Sequence, residues 1–590
     1  MFKPYLPVVY LSLCLVFVSA TDDNELLVVC PPKSTCIRGV FRHTYNTEFE
    51  AFMGMPYALA PLGELRFRDP IKMVKLPFTI DGTKSKPNCI QRNYFLNRQR
   101  IFGKEDCLYL NVYRPVVSPQ DIGNINRYIY GGGFNSGSAS YLYTGPEYFM
   151  ATQSVILVTV SYRLGALGFL STGDNSISGN FGLKDQHMAL KWVQENIADF
   201  GGDKDKVTLF GHGAGAIATH LHLMNPNSEG LFHRVISMSG TANSPYAIER
   251  NPLEKARNTA FYCNIENVDH ISTTKLSKAL RKVNALKLVE AEDYVKRWVG
   301  DPNTYYRPVI EPPGKNAFLT QDPEELIRTV NYTKLPWLLG TVPEDGAKWV
   351  INIMENSSVL QNFNSEFHYN LLELIQFPNR FNATVKDEKL IQLVQDYFGG
   401  TKELHEGSLR GFLDVMTDRG FKHPLYNVIR YYLRNVDTDV HPIYMYSFNY
   451  KGRFSSASLY AKRITRNYGV VHGDDLHYLF RSPLYFRDFH RNSTEAAIVQ
   501  LFVNYFVTFA KHGKPLNFPT LDSCDTSVLA HRPKGICDYH EFFNAKYSLQ
   551  HVRVNNAYPT QRVRYWLDLL EESRKSELGN PFYGTYTSGK

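Results

Sequence analysis

The sequence has little cysteine, no dense run of one charge and only one long apolar stretch, and each scarcity excludes a class. Eight cysteines in 590 residues are too few for a small disulfide scaffold. No Cys-x-x-Cys pair or His/Cys cluster has zinc spacing, so no metal is expected and no cofactor is implied. The net charge of +8, from 65 Lys+Arg against 57 Asp+Glu, comes without a polybasic run. Nucleic acid needs a clustered basic face, so it is not an expected partner. No internal repeat, low-complexity tract or dividing linker appears. A composition that is 43% hydrophobic and 14% aromatic excludes a disordered or collagen-like chain.

The one long apolar stretch is N-terminal. Met1 to Ala20 carries Lys3, an apolar run from Leu11 to Val18 and the small-residue ending Val18-Ser19-Ala20, before acidic Asp22-Asp23. This pattern predicts a secretory signal peptide cleaved after Ala20, and a secreted, extracellular product of residues 21–590. It is short for a membrane span, no later segment reaches that length, and Ser573 to Lys590 is polar. Four sequons, at Asn331, Asn356, Asn382 and Asn492, are candidate glycosylation sites and should lie at the surface. Cys89 and Cys107 bracket one polar loop, Cys524 and Cys537 another, and Cys30 and Cys36 flank a Pro31-Pro32 turn. With Cys14 removed in the leader, Cys263 is left over.

Buried strands are expected at 155–160, 207–210, 235–238, 337–339 and 443–448. An amphipathic helix is expected from about Lys184 to Asp199, with Met188, Trp192, Val193 and Ile197 on one face. Later helices are expected at about 493–511 and 559–573. Strand, helix and strand in this order imply an α/β fold with a mostly parallel sheet. Length alone suggests about four domains.

The strand at 207–210 runs into Gly211-His212-Gly213-Ala214-Gly215 and then into helix-compatible residues. A strand, a tight Gly-x-x-x-Gly turn and a helix are the setting of a nucleophile elbow, whose central residue stands at a strained position above the sheet. In an active hydrolase that residue is Ser. Here it is Gly213.

From about Gly39 to Leu570 the sequence resembles the type-B carboxylesterase/cholinesterase family of α/β hydrolases. The carrying motifs occur in order. They are Gly54-Met55-Pro56-Tyr57-Ala58, Gly63-Glu64-Leu65-Arg66-Phe67, Glu105-Asp106-Cys107-Leu108-Tyr109-Leu110-Asn111, Tyr130-Gly131-Gly132-Gly133-Phe134, Ser161-Tyr162-Arg163, Gly182-Leu183 with Asp185-Gln186, and Phe200-Gly201-Gly202-Asp203. The resemblance implies the α/β-hydrolase fold, a large central, mostly parallel mixed sheet flanked by helices. It places the catalytic acid at Asp345, with Glu344 beside it as a rival, and the base at His472. Gly132, Gly133 and Ala214 would supply oxyanion-hole N–H groups, and Tyr246 an acyl-pocket aromatic. Because Gly213, Asp345 and His472 must meet in one site, the four domains reduce to one.

Three departures accompany the match. The strand before the glycine-rich loop, Asn124 to Tyr130, carries Asn126 and Arg127 where relatives are apolar, and buried polar groups need partners. Ala279-Leu280-Arg281 stands where relatives often have Cys-Leu-Arg, which leaves Cys263 unpaired. The Cys89–Cys107 loop contains no Trp, which argues against a choline substrate because cation–π binding needs such a ring. The ion pairs Arg66–Glu105 and Arg163–Asp185, by contrast, look intact. This is a pseudoenzyme pattern: an inactive protein acting by binding a small apolar or ester ligand, or an extracellular protein. The family's adhesion members, such as neuroligin, are precedents for the latter. The alternative is a working carboxylic ester hydrolase, in which water or another residue substitutes, or Gly213 is one allele's residue or an artefact.

Overall fold

The structure is a computed structural model. It describes residues 27–44, 46–92, 100–116, 123–296, 304–377, 383–515, 539–545, 551–555 and 560–578. The leader at 1–20, Cys524, Cys537 and Asn382 lie outside the described residues.

An eleven-stranded sheet organises the chain. Its strands are β1 (Val40–His43), β2 (Glu48–Pro56), β3 (Tyr109–Pro115), β4 (Gly123–Ile129), β5 (Ile156–Val160), β6 (Gly202–His212), β7 (Arg234–Met238), β8 (Trp337–Thr341), β9 (Ile443–Phe448), β10 (Tyr539–Phe542) and β11 (Val552–Asn555). Across the sheet the order is β11-β10-β9-β8-β7-β6-β4-β5-β3-β2-β1. The strands from β5 to β10 are parallel, and antiparallel pairs close both edges. This is the large mixed sheet flanked by helices that the sequence implies. Central strands such as β5 and β8 are buried at every residue, as expected for parallel strands covered on both faces.

Helices α1 (Phe181–Asn196), α2 (Ala214–Met224), α3 (Ala347–Glu355), α4 (Thr494–His512) and α5 (Thr560–Leu578) surround this layer. The expected elements are present, with ends displaced by a few residues. β6 is longer than expected because Gly202 to Lys206 extend it toward solvent, with Lys204 to Lys206 exposed. Between β8 and β9 an excursion of helices, including Ser357–Ser365, Phe367–Leu374 and Leu409–Thr417, forms a second core around Ile351, Phe363, Leu371, Phe412 and Met416. The wall of the site comes from this second core.

Among the described residues two disulfides close, Cys30–Cys36 and Cys89–Cys107, and Cys263 is buried and free. Burial pushes the Cys263 thiol up to about 11, so it is a poor nucleophile. Arg66 meets Glu105 at 2.5 Å and Arg163 meets Asp185 at 2.7 Å. Asn331, Asn356 and Asn492 are exposed, as glycosylation requires. Among the described residues no helix is long and apolar enough to cross a membrane.

Candidate active site

The ends of three parallel strands build the site, at the carboxyl edge where α/β sheets bind ligands. β6 ends at His212, the chain turns at Gly213, and α2 begins at Ala214. Gly213 has φ 55° and ψ −117°, a backbone position that glycine adopts without the clash a side chain brings. Its N–H donates to Met238 O at 2.8 Å, and its carbonyl accepts from Ile217 N at 3.0 Å, so the strained turn is pinned on both sides. Strand and helix approach so closely that a Cβ on Gly211 would lie 2.4 Å from the Gly215 backbone. The glycines at either end of the turn are therefore demanded by packing, whatever stands between them.

Asp345 follows β8 and His472 follows β9. His472 Nδ1 lies 2.8 Å from Asp345 Oδ1. Asp345 Oδ2 accepts from the hydroxyls of Ser239 at 3.0 Å and Thr341 at 2.8 Å, and from Val342 N–H at 3.1 Å. Burial raises the Asp345 carboxyl, and these donors pull it back. The rival Glu344 is engaged elsewhere, accepting from Arg410 Nη1 at 3.1 Å and Val470 N–H at 3.0 Å. His472 is held well below its ordinary value, first by burial and then by Lys348, so its ring is neutral at pH 7.

The imidazole reaches Gly213 itself. A Cβ built on Gly213 would sit 2.9 Å from His472 Nε2, closer than real Cβ contacts come. The ring thus occupies part of the space that a serine side chain would need. A serine would require it to retreat by a few tenths of an ångström.

Gly132 and Gly133 follow β4 with φ of 121° and 64°, beside the N-terminus of α2. The N–H groups of Gly132, Gly133 and Ala214 donate to no other described residue. They are free donors at one end of the sheet, the requirement for holding an oxyanion. Tyr246 packs on Trp349 at 4.3 Å, Trp349 on Phe421 at 5.3 Å, and Phe421 on His472 at 5.2 Å, a continuous aromatic wall. Tyr246 also donates to Leu374 O at 2.8 Å. Phe421 lies in a π-helical turn, Asp418–Lys422, an irregularity frequent at functional sites.

The carboxylesterase family model matches residues 31–566. The chain belongs to the carboxylesterase family. It is 38% identical over 478 residues to juvenile hormone esterase of Tribolium castaneum, covering 79% of this chain and 80% of that one. It is 30% identical over 532 residues to venom carboxylesterase-6 of Apis mellifera, covering 88% and 92%. The solved structure of juvenile hormone esterase from Manduca sexta, with OTFP covalently attached, superposes with a TM-score of 0.77 at 25% identity, over 93% of this chain and all of that one.

Within this carboxylesterase-family chain, sequence reasoning missed several neighbours of the dyad. His212, the residue before the elbow glycine, packs its ring on that of His472 at 4.3 Å. Its Nε2 faces Asp475 Oδ1 at 3.8 Å, too far for a hydrogen bond. Burial and the carboxylates of Asp345 and Asp474 push Asp475 up to about 8. Lys348 and Trp349 were also missed, although they follow Asp345 by three and four residues, one helical turn. Arg127 is wholly buried; its Nη2 donates to Gln186 O at 2.9 Å, while Nε and Nη1 have no partner among the described residues. Burial lowers that guanidinium to about 9.

Proposed function

We propose that this carboxylesterase-family protein binds a small apolar or ester ligand in the former catalytic pocket and does not hydrolyse it. Gly213 carries the reading. An acyl-enzyme needs a side-chain atom at the elbow to attack the carbonyl carbon, and glycine has none. Loss of the nucleophile in a serine hydrolase costs on the order of 10⁶ in turnover, about 8 kcal/mol of barrier. In this reading Asp345 and His472 are a base without a nucleophile, Gly132, Gly133 and Ala214 are oxyanion donors, and Tyr246 bounds the acyl side. The apolar leader, the exposed sequons and the disulfides support a secreted protein. Two relatives are named juvenile hormone esterase, which makes juvenile hormone the first ligand to test.

A second reading is favoured by one observation, the intact dyad beside free N–H donors. His472 could deprotonate a water that attacks an ester directly, without an acyl intermediate. Such residual catalysis amounts to roughly 10³ over the uncatalysed reaction. The deciding experiment measures turnover of a short-chain aryl ester by the purified chain and by Gly213→Ser. The binding reading expects no turnover by the natural chain and its recovery in the variant. Enzyme-level turnover by the natural chain overturns it.

A further inference from the structure

Lys348 is the second residue of α3, at the positive end of that helix, where a cation is disfavoured. Its ammonium lies 4.3 Å from the centroid of Trp349 and 5.5 Å from that of Phe421, the ring that also packs on His472. It has no hydrogen bond or ion pair among the described residues. Asp345 is the nearby carboxylate, but its two oxygens are already taken by His472, Ser239, Thr341 and Val342.

A second lysine shows how this fold treats an ammonium that has only a structural role. A separate cavity of about 470 Å³ is lined by Phe67, Asp69, Phe181, Lys184 and Glu311. Lys184 there meets Asp69 at 2.9 Å, Glu311 at 2.7 Å and Ser178 Oγ at 3.2 Å. Lys184 is closed by its neighbours; Lys348 is left with two ring faces.

We infer that Lys348 is a ligand-recognition residue that takes the carboxylate of an amphipathic monocarboxylic acid bound against the Tyr246–Trp349–Phe421 wall. One unpaired cation calls for one negative charge. A dianionic phosphate would leave a charge uncompensated among aromatic rings, since His472 is neutral. Burial lowers the ammonium to about 8, so it is charged at pH 7 before any ligand arrives. An acid with an apolar tail is what ester hydrolysis releases, and that reaction class would supply it. The inference rests on the binding reading above and names its ligand class.

Calorimetric titration of the full secreted chain at pH 7 with dodecanoate and with methyl dodecanoate tests it. The acid should bind at least about ten-fold more tightly than the ester. Lys348→Met, which keeps the apolar stem, should weaken dodecanoate about ten-fold or more and leave the methyl ester unchanged. Lys348→Arg should retain the preference for the acid. Equal binding of acid and ester by the natural chain overturns the inference. So does equal weakening of both by Lys348→Met, which is the sign of a merely structural role. Release of methanol from the ester would sink the binding-only reading instead, leaving Lys348 to be judged on dodecanoate alone.

Discussion

On the binding reading, the two sides of this site have kept different things. On the acid–base side, Asp345 keeps its hydrogen bond to His472 and three further donors, all buried. On the elbow side the turn survives with its strained backbone, but nothing stands on it at Gly213, and the neighbouring strand β4 buries a guanidinium with two orphaned nitrogens. The glycines, the pinned N–H and the start of α2 serve the fold. On that reading a side chain on residue 213 would serve only the chemistry. Structural and chemical demands on one turn therefore separate at a single position.

Restoring the missing group is the largest test of that contrast. Gly213→Ser should raise aryl-ester turnover by on the order of 10⁶, provided His472 retreats from the space it now shares. A folded variant that stays inactive would show that the elbow side has lost more than its nucleophile. In the Gly213→Ser background, Asp345→Asn should then lower kcat by roughly 10⁴, because the acid fixes the tautomer and orientation of His472. A small effect would mean that the acid–base side is intact only in shape.

Two buried arginines compare the scaffold with the altered strand. Arg163 is paired to Asp185 through two nitrogens, at 2.7 and 2.8 Å. Arg163→Met should cost about 3–5 kcal/mol in denaturant unfolding, since it strands a buried carboxylate. Arg127→Met should instead stabilise by about 1–3 kcal/mol, because the charge it removes is buried with a single hydrogen bond.

The smallest effect is in pH. His472 works as a base only when neutral, and its folded value is well below 6.5. Gly213→Ser should therefore keep its kcat/KM as pH falls through 6.5 and lose it only lower. Lys348→Met, by removing a neighbouring positive charge, should move that acid limb upward. The same shift has a stability consequence with a definite sign. A folded histidine that binds its proton less readily than the unfolded one contributes stability above pH 6.5, which is lost as pH falls toward its folded value.

Much of the fold was legible because its signals are local. The alternation of apolar strands with the helix at Lys184 to Asp199, the glycine turn and the ordered motifs each lie within a short window. The site was legible only where a motif marked it. Asp345 and Glu344 are adjacent in sequence, and what distinguishes them is long-range: Val470 and Arg410 hold Glu344, while β9 brings His472 to Asp345. The aromatic wall joins residues 246, 349 and 421, which no periodicity connects. His212 was not legible because a residue just before a turn carries no sequence signal for where its ring lies once the strand ends. Lys348 was hidden for a different reason. A lysine near a helix start reads as solvated surface until the rings around it are seen.

The most direct test is the intact mass of the purified natural chain after exposure to an organophosphate. A site without a nucleophile predicts no adduct on the natural chain and one phosphoryl group on Gly213→Ser. A stoichiometric adduct on the natural chain, mapped to any residue of the site, would contradict it.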